Sequence, residues 1–224
     1  HYNGHGRFYA SGTQSQNIPR VLRALKHAKY THYVDVTKCH ATIYCSVVDK
    51  LAIGALPPFF ISWVSRYDAL VADFWKYLRI SKLRLRAFLS SFWHNPHQNI
   101  RSYLEQHTDH LPDLSREERT SRRVLIIAVY GAHDFYRTHL SSVIEALRQD
   151  GYYSQPSSTR PSAVLTGLFE DAESWFMWNV VNTLRSRYGY VVHTLIHDGL
   201  LVSNRVEHND VINICQEVAG RVLG

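Results

Sequence analysis

The sequence predicts an α+β fold in which a small antiparallel sheet is joined to a mostly helical part. Two β-prone runs, 191–196 and 200–202, flank an Asp-Gly pair near the end of the chain, and a third run lies at 33–36. Residues 65–150, by contrast, have a largely helical pattern. Strands that alternate irregularly with long helices favour α+β over a regular series of βαβ units.

The first part of the chain begins with a polar, turn-rich segment and then becomes β-prone. Residues 1–29 end in a short basic helix that starts near residue 20, and the run 33–36 follows. A polar break at Thr37 and Lys38 separates that run from a predicted helix over 40–51. The first strand is therefore expected to lead directly into a helix.

Local signals mark the ends of the later elements. Ser115, followed three residues on by Glu118, is a capping-box pattern that predicts the start of a long helix. Residues 151–163 contain glycine, two prolines and several serines, and are predicted as a loop. A helix over 168–187 should follow, with Gly189 as its stop.

Three parts are predicted along the chain: 1–64, 65–150 and 151–224. The first and third hold the β-prone runs, and the second is the mostly helical part. The third part should close with an amphipathic helix over 210–222. The β-prone runs therefore lie in the two terminal parts, and the mostly helical part separates them.

The composition fits a folded domain whose partner is a polyanion. The chain has 224 residues, 45% of them hydrophobic, so it is long enough to bury a sizeable core. Its net charge of +6 favours nucleic acid or another polyanion as the partner. No run reaches the roughly 18 consecutive apolar residues of a membrane span, and no signal peptide is visible, so no membrane partner is expected.

Cysteine usage bears on the compartment. Cys39, Cys45 and Cys215 are an odd number and have no metal-type spacing. They argue against a disulfide scaffold and favour a reducing, intracellular compartment such as the cytoplasm, a nucleoid or an organelle matrix.

The sharpest local feature is an Asp-Gly pair near the end of the chain. Asp198 and Gly199 separate two β-prone runs, which predicts a hairpin whose turn uses the positive φ that glycine allows. Such a hairpin would hold the Asp198 carboxylate rigidly at its tip, as a metal ligand requires. An ordinary turn exposed to water has the same pattern, so the pair alone does not identify a site.

A second carboxylate, Asp35, lies inside the β-prone run 33–36. Aspartate is unfavourable in a strand, so either an exposed edge position or a function accounts for it. Two aspartates on separate strands could converge on a pair of Mg²⁺ ions, which prefer oxygen ligands. Two such ions support phosphoryl or nucleotidyl transfer, so Asp35 and Asp198 are the candidate catalytic residues.

Several short segments before and after Asp35 together form a recognisable series of motifs. The segments GRFYAS at 6–11 and QSQNIP at 14–19 resemble the GR…S…LQNIP segment that precedes motif A in family A DNA polymerases. Asp35 then stands where that family has motif A, DYSQIE, and the HDG at 197–199 is similar to motif C, HDE. Single-subunit phage-type RNA polymerases have HDS there. The resemblance, over 6–50 and 115–204, implies a polymerase palm with a helical, fingers-like part.

A further segment, RTSRRVLIIAVYG at 119–131, resembles motif B, the fingers helix with Arg, Lys and a terminal Tyr-Gly. Arg122 precedes Tyr130 by eight residues, the family's Lys-to-Tyr spacing, but the upstream arginine then needs a one-residue slip to Arg119. The alternative register pairs Arg119 with Arg123. Both registers remain open, and in either case an arginine replaces the lysine and can bind phosphate oxygens.

The resemblance implies a role for each matched residue. Asp35 and Asp198 would bind two Mg²⁺ ions, or Mn²⁺ in their place, together with the backbone carbonyl of Val36. The site of the incoming nucleoside triphosphate would include Arg119 with either Arg122 or Arg123, together with His40 and with Tyr130, which would stack beside the templating base. The DNA primer and template would contact Arg7, Gln16, Asn17 and His197. The basic stretch 76–86 either follows the phosphate backbone or forms a solvated helix face. Accessory subunits would be further partners.

Two departures from the family leave alternatives open. His40 replaces the motif A glutamate, which in DNA polymerases helps to exclude the ribose 2′-OH, and Gly199 replaces the last acid of HDE. A template-directed DNA polymerase is the leading interpretation, and a single-subunit RNA polymerase or primase-like enzyme is the alternative. A catalytically inactive nucleic-acid-binding subunit and an HD-type phosphohydrolase, whose His-Asp pair would lie on a helix, are the others.

The histidine pairs are interpreted as hydrogen-bonded or solvated side chains, not as zinc ligands. His193 and His197 have the spacing of a helical metal site, but residues four apart on a strand are about 13 Å apart, which argues against a zinc site. The tryptophans are predicted to be core or lid aromatics: Trp63, Trp75, Trp93, Trp175 and Trp178.

Overall fold

The computed structural model describes residues 29–36, 38–95, 99–108, 114–149, 161–196 and 199–222. These residues form helices and one small antiparallel sheet, so the predicted α+β class is confirmed. In chain order the elements are β1 (Thr31–Asp35), α1 (Cys39–Lys50), α2 (Pro58–Ser65), α3 (Tyr67–Leu78), α4 (Lys82–His94), α5 (Ile100–Thr108), α6 (Arg116–Gln149), α7 (Pro161–Tyr188), β2 (Val192–Ile196), β3 (Gly199–Ser203) and α8 (His208–Val222).

The sheet joins a strand from the start of the described chain to a hairpin near its end. Its strand order is β1-β3-β2, and both pairings are antiparallel. In the β1–β3 pairing Thr31 lies opposite Ser203 and Asp35 lies opposite Gly199. The predicted hairpin is confirmed by the β2–β3 pairing, in which Ile196 lies opposite Gly199.

The chain divides into two compact units. The first comprises the described residues of 1–46, 147–156 and 167–224, and the second those of 47–146 and 157–166. The sheet and α8 therefore belong to the first unit, whereas α2 to α5 belong to the second. The palm and fingers assignments of the predicted parts stay predictions.

The core of the first unit forms between one face of the sheet and two helices. Apolar residues of α7, β3 and α8 are buried together, and Val34 of β1 packs against them. The helix predicted over 210–222 has its amphipathic pattern because Val211, Ile214 and Val218 recur on one face and enter this core. This packing fixes the strands on which the candidate catalytic residues were predicted.

The core of the second unit is a cluster of aromatic rings. Phe59, Phe60 and Trp63 of α2 contact Phe92 and Trp93 of α4 in stacked and edge-to-face pairs at centroid distances of 5.0 to 6.1 Å. The prediction that all tryptophans are core or lid aromatics is confirmed for the two buried ones. The core assignment is wrong for the other three, which are about half exposed: Trp75, Trp175 and Trp178.

Two helix boundaries illustrate how local sequence acts. At the start of α6 the Ser115 amide donates to the Glu118 carboxylate (3.0 Å), and the Glu118 amide donates to Ser115 Oγ (3.2 Å), so the capping box is confirmed. Helix α7 ends before Gly189, which has φ +76°, as predicted. The prediction of a loop through residue 163 is wrong, because α7 begins at Pro161, and proline fits the first turn of a helix.

Candidate functional site

Asp35 is the last residue of β1 and lies at one end of the sheet. Neighbouring side chains on a strand point to opposite faces, and Val34 packs into the core. Tyr33 and Asp35 therefore point to the face of the sheet away from that core, and both are exposed. The predicted position of Asp35 within a β-strand is confirmed, at the end where the β2–β3 hairpin turns.

Asp198, the second predicted carboxylate, is next in sequence to a residue at this end of the sheet. Asp198 and His197 lie outside the described residues, but Gly199, the residue after Asp198, pairs directly with Asp35. Ile196, on the other side of the turn, pairs with the same glycine. The described backbone thus brings Asp35 and the end of the hairpin together, although they are far apart in sequence.

Gly199 is buried beneath the ring of Tyr33. A methyl group added at Gly199 would meet Tyr33 Cε2 at 2.7 Å, and the hydroxyl oxygen is closer still. Gly199 is the first residue of β3 and pairs with both Asp35 and Ile196, so it belongs to the strand. The sequence predicts this glycine from the needs of the turn, and the structure adds a separate reason for it, the close approach of Tyr33.

His40 lies in the first turn of α1 and faces a buried acid on α7. Its Nε2 atom is 3.8 Å from Oε2 of Glu173, whose side chain is only 1% exposed. The imidazole also packs against Phe169 at a centroid distance of 5.2 Å. A buried acid is costly unless it is paired, and the His40 imidazole lies within ion-pair distance of this one. Sequence reasoning did not identify Glu173, since its position on α7 does not indicate which element it faces.

Val36, the residue predicted to contribute a carbonyl, follows directly after β1. Its side chain is half-buried and packs against the core of the first unit. That packing anchors the backbone just beyond Asp35. Arg7, Gln16 and Asn17, the other residues predicted to contact primer or template, lie outside the described residues.

The motif B-like residues lie on α6, in the second unit, as a helix was predicted to place them. At about 100° per residue, Arg119, Arg123 and Tyr130 fall within about 40° of one another around the helix axis. Arg122 lies about 60° to the other side of Arg119. Arg119 and Arg123 are exposed, whereas Arg122 is half-buried and already interacts with another group. One broad face of the helix therefore holds these residues in either register.

The basic stretch 76–86 is close to the start of α6. The positive charges of Lys76 and Arg79 help to lower the pKa of Glu118, although its hydrogen bonds with Ser115 are the larger cause. Residues 66–86 and 115–123 together contain ten basic and four acidic side chains. Their balance of +6 makes these segments strongly basic, and the whole second unit has fourteen basic and ten acidic residues, a balance of +4.

The described residues contain no group of three or more His, Cys, Asp or Glu side chains placed to share one metal ion. The aspartate pair predicted to bind metal includes Asp198, which is not among those residues. Within the same described ranges, no helix is both long and apolar enough to cross a membrane.

Comparison with known proteins gives no relative. No protein family, no curated protein and no solved structure matches the chain.

Proposed function

We propose that this chain is a template-directed nucleotidyltransferase, in the first place a DNA polymerase that extends a primer 3′-OH. The observation that supports it best is the register of the sheet, in which Asp35 lies opposite Gly199. Motif A and motif C of the resemblance were identified separately in sequence. A common active site needs the two motifs at the same end of one sheet. The pairing of Asp35 with Gly199, the last residue of the motif C-like segment, is consistent with that need.

Covalent geometry sets an upper limit on the distance between the α-carbons of Asp35 and Asp198. Paired α-carbons of antiparallel strands are about 4.5 to 5.5 Å apart, and consecutive α-carbons are about 3.8 Å apart. The α-carbons of Asp35 and Asp198 can therefore be separated by no more than about 9 Å. Two aspartate side chains at such a separation can share a pair of divalent cations.

The residues present fit two Mg²⁺ ions in the proposed site. Carboxylates are the hard oxygen ligands that Mg²⁺ prefers, and Asp35 is exposed at a strand end that the sheet and the core hold in place. Asp35 and Asp198 would hold the ions, with the backbone carbonyl of Val36 as a third ligand. When bound, such ions activate an attacking hydroxyl and stabilise the charge on the leaving oxygen.

The remaining assignments come from the resemblance. The triphosphate of the nucleotide is assigned to the arginines of α6, whose guanidinium groups bind phosphate oxygens in pairs. Tyr130 is assigned to the templating base, and His197 to the primer terminus. Arg7, Gln16 and Asn17 are assigned to the primer and template. The basic stretch 76–86 supplies positive charge for the nucleic-acid backbone.

One assay tests the proposal: primer extension on a DNA template with Mg²⁺, using dNTPs and rNTPs in parallel. Asp35→Asn and Asp198→Asn should each abolish incorporation, while Asp49→Asn, an exposed aspartate on α1, should not. Far-ultraviolet circular dichroism and urea unfolding should be alike for all three variants. Undiminished incorporation by either active-site variant would sink the proposal, and tight DNA binding without incorporation would favour the inactive subunit.

A single-subunit RNA polymerase or primase-like enzyme is the second candidate because of His40. The family's carboxylate, which helps to exclude a ribose, is replaced here by an imidazole held against Glu173. Preferential use of rNTPs, or dinucleotide synthesis without a primer, would favour this candidate. The HD-type phosphohydrolase is less supported, since strands rather than a helix flank positions 197 and 198.

A further inference from the structure

A groove of about 510 Å³ lies at the end of the sheet opposite Asp35. It forms where the chain enters β1, where it enters β2 and where it leaves β3. Its lining residues are Lys29, Tyr30, Tyr190, His193, Ser203, Asn204 and Arg205. None of them has a role in the proposed reaction, and all belong to the first unit.

Two tyrosine rings at this groove are exposed beside cationic groups. Tyr30 is 61% exposed and Tyr190 is 86% exposed. The ammonium of Lys29 is 5.5 Å from the centroid of the Tyr30 ring, and the guanidinium carbon of Arg185 is 4.5 Å from that of Tyr190. Arg185 also donates a hydrogen bond to the Tyr190 hydroxyl. Each cation lies over one face of its ring, and the high exposure of both side chains leaves ring surface for a ligand.

The backbone around the groove is held by specific hydrogen bonds. The Asn204 amide donates to the Tyr30 carbonyl (2.9 Å), and the Asn204 side chain donates to the Lys29 carbonyl (3.2 Å). The Arg205 amide donates to Ser203 Oγ (3.3 Å). Residues 29 and 30 are therefore fixed to the turn that follows β3.

The charges at the groove favour an anion. Among the described residues, no carboxylate lies within ion-pair distance of Lys29, Arg185 or Arg205, whereas Arg187 and Arg221 share Glu217 at 2.7 and 3.5 Å. Three cations beside two exposed rings match the two chemical parts of a nucleotide strand. Phosphates neutralise the cations, and unpaired bases stack on the rings.

We propose that this groove binds single-stranded nucleic acid, with bases stacked on Tyr30 and Tyr190 and phosphates on Lys29, Arg185 and Arg205. Strand β3 leads from Gly199 to Ser203, about 13 Å at roughly 3.3 Å per residue. That length corresponds to about four nucleotides of a stacked strand at roughly 3.4 Å each. A strand bound in the groove would therefore reach the end of the sheet at Asp35. This last step rests on the proposed function, and binding in the groove does not.

The test measures binding of fluorescein-labelled oligothymidylate by anisotropy, without metal or nucleotide. The comparison ligand is an abasic strand of equal length and charge. Tyr190→Ala should weaken oligothymidylate binding about tenfold, and adding Tyr30→Ala should weaken it further. Binding of the abasic strand should be weak and alike for all variants. Trp175→Ala, which removes an exposed aromatic ring outside the groove, is the matched control and should bind as wild type.

Salt dependence separates the phosphate contacts from stacking. Arg205→Ala should reduce the slope of log affinity against log salt by about 0.7, the value for one phosphate on a single strand. Equal binding of the thymidylate and abasic strands, or wild-type affinity in the Tyr30/Tyr190 double variant, would overturn the proposal. Binding of an acidic peptide as tight as that of oligothymidylate would also overturn it.

Asp35→Asn separates this proposal from the polymerase proposal. If the groove binds as proposed, this variant should retain wild-type oligothymidylate affinity whether or not it incorporates nucleotides. Loss of binding in Tyr190→Ala would then support the groove even if primer extension failed for the wild type.

Discussion

The phenol ring of Tyr33 covers the α-carbon of Gly199, across the strand pair that ends at Asp35. We predict that Gly199→Ala lowers the free energy of unfolding by about 1 kcal/mol, because the added methyl group overlaps the ring. The cost stays moderate since Tyr33 is 42% exposed and its ring can swing outward. Urea unfolding followed by circular dichroism measures it.

Two comparisons assign that cost to the ring. Gly220→Ala on α8, where nothing lies within 4 Å of an added methyl group, should instead stabilise the protein by about 0.5–1 kcal/mol through helix propensity. In a Tyr33→Ala background, Gly199→Ala should cost almost nothing. An unchanged cost in that background would mean that the ring is not the cause.

His40 and Glu173 form a second testable pair. His40→Ala should lower the free energy of unfolding by about 1–3 kcal/mol, because it leaves the buried carboxylate without the imidazole. That figure is below the range for fully buried pairs since the His40 side chain is 21% exposed. Urea unfolding of His40→Ala, of a Glu173 variant and of the double variant gives the coupling free energy between the two side chains.

Glu173→Gln is the matched partner variant because it removes the charge and keeps the shape. With Gln at 173, His40→Ala should cost at least about 1 kcal/mol less than in the wild type. Strictly additive losses would contradict the pairing. If the chain is a polymerase, Glu173→Gln should also change its ratio of dNTP to rNTP incorporation, although Glu173 itself need not contact substrate.

The sequence predicts best those elements that are determined by residues close together along the chain. The capping box at Ser115 and Glu118 needs only residues within one helical turn, and the stop at Gly189 needs only its own backbone angle. The hairpin before β3 is likewise local. The close contact between Gly199 and Tyr33, by contrast, joins residues that are remote in sequence and could not be predicted from the hairpin pattern.

Features that depend on distant residues could not be predicted in this way. No local sequence signal distinguishes Glu173 from other acidic residues on a helix. Its importance depends on α1, which places His40 beside it. The groove likewise joins residues 29–30, 190 and 203–205, which are separated by most of the chain. For the candidate site, the sequence pairs Asp35 with Asp198 through their β-prone surroundings and the resemblance to motifs A and C. Only the sheet register adds a physical relationship between their positions.

The cysteines give a prediction about pH. All three are free, and burial raises the pKa of both Cys45 and Cys215 to about 11. Since the thiolate is the reactive form, a rise from about 9 to about 11 reduces its population at pH 8 about hundredfold. Disulfide-exchange labelling at pH 8 should therefore be about a hundred times slower for these thiols in the native protein than in urea.

The same pKa values predict the sign of a stability change. Folding favours the neutral thiol, so this contribution is fully present below pH 9 and is lost as the pH rises towards 11. Because lysines and tyrosines also titrate there, wild type is compared with the Cys45→Ala/Cys215→Ala double variant. The wild type should lose more stability than the double variant between pH 9 and pH 11. Parallel losses would show that the thiols are not buried as described.

The arginines of α6 provide a kinetic prediction that also decides the motif B register. Arg119 and Arg123 are exposed one helical turn apart, whereas Arg122 is half-buried and already interacts with another group. If the chain is a polymerase, Arg123→Ala and Arg119→Ala should each raise the KM for dNTP about tenfold or more, the loss expected for a charge-assisted hydrogen bond. Arg122→Ala should have a smaller effect.

Arg137→Ala is the control on the same helix, because Arg137 pairs with Asp134 at 3.3 Å and lies beyond the motif B-like segment. It should leave the KM for dNTP unchanged, and all four variants should bind primer-template alike when no nucleotide is present. If Arg122→Ala has the largest effect, the register that pairs Arg119 with Arg123 is wrong. The arginine eight residues before Tyr130 would then be the one that binds phosphate. Equal and small effects at all three arginines would remove this face of α6 from the nucleotide site.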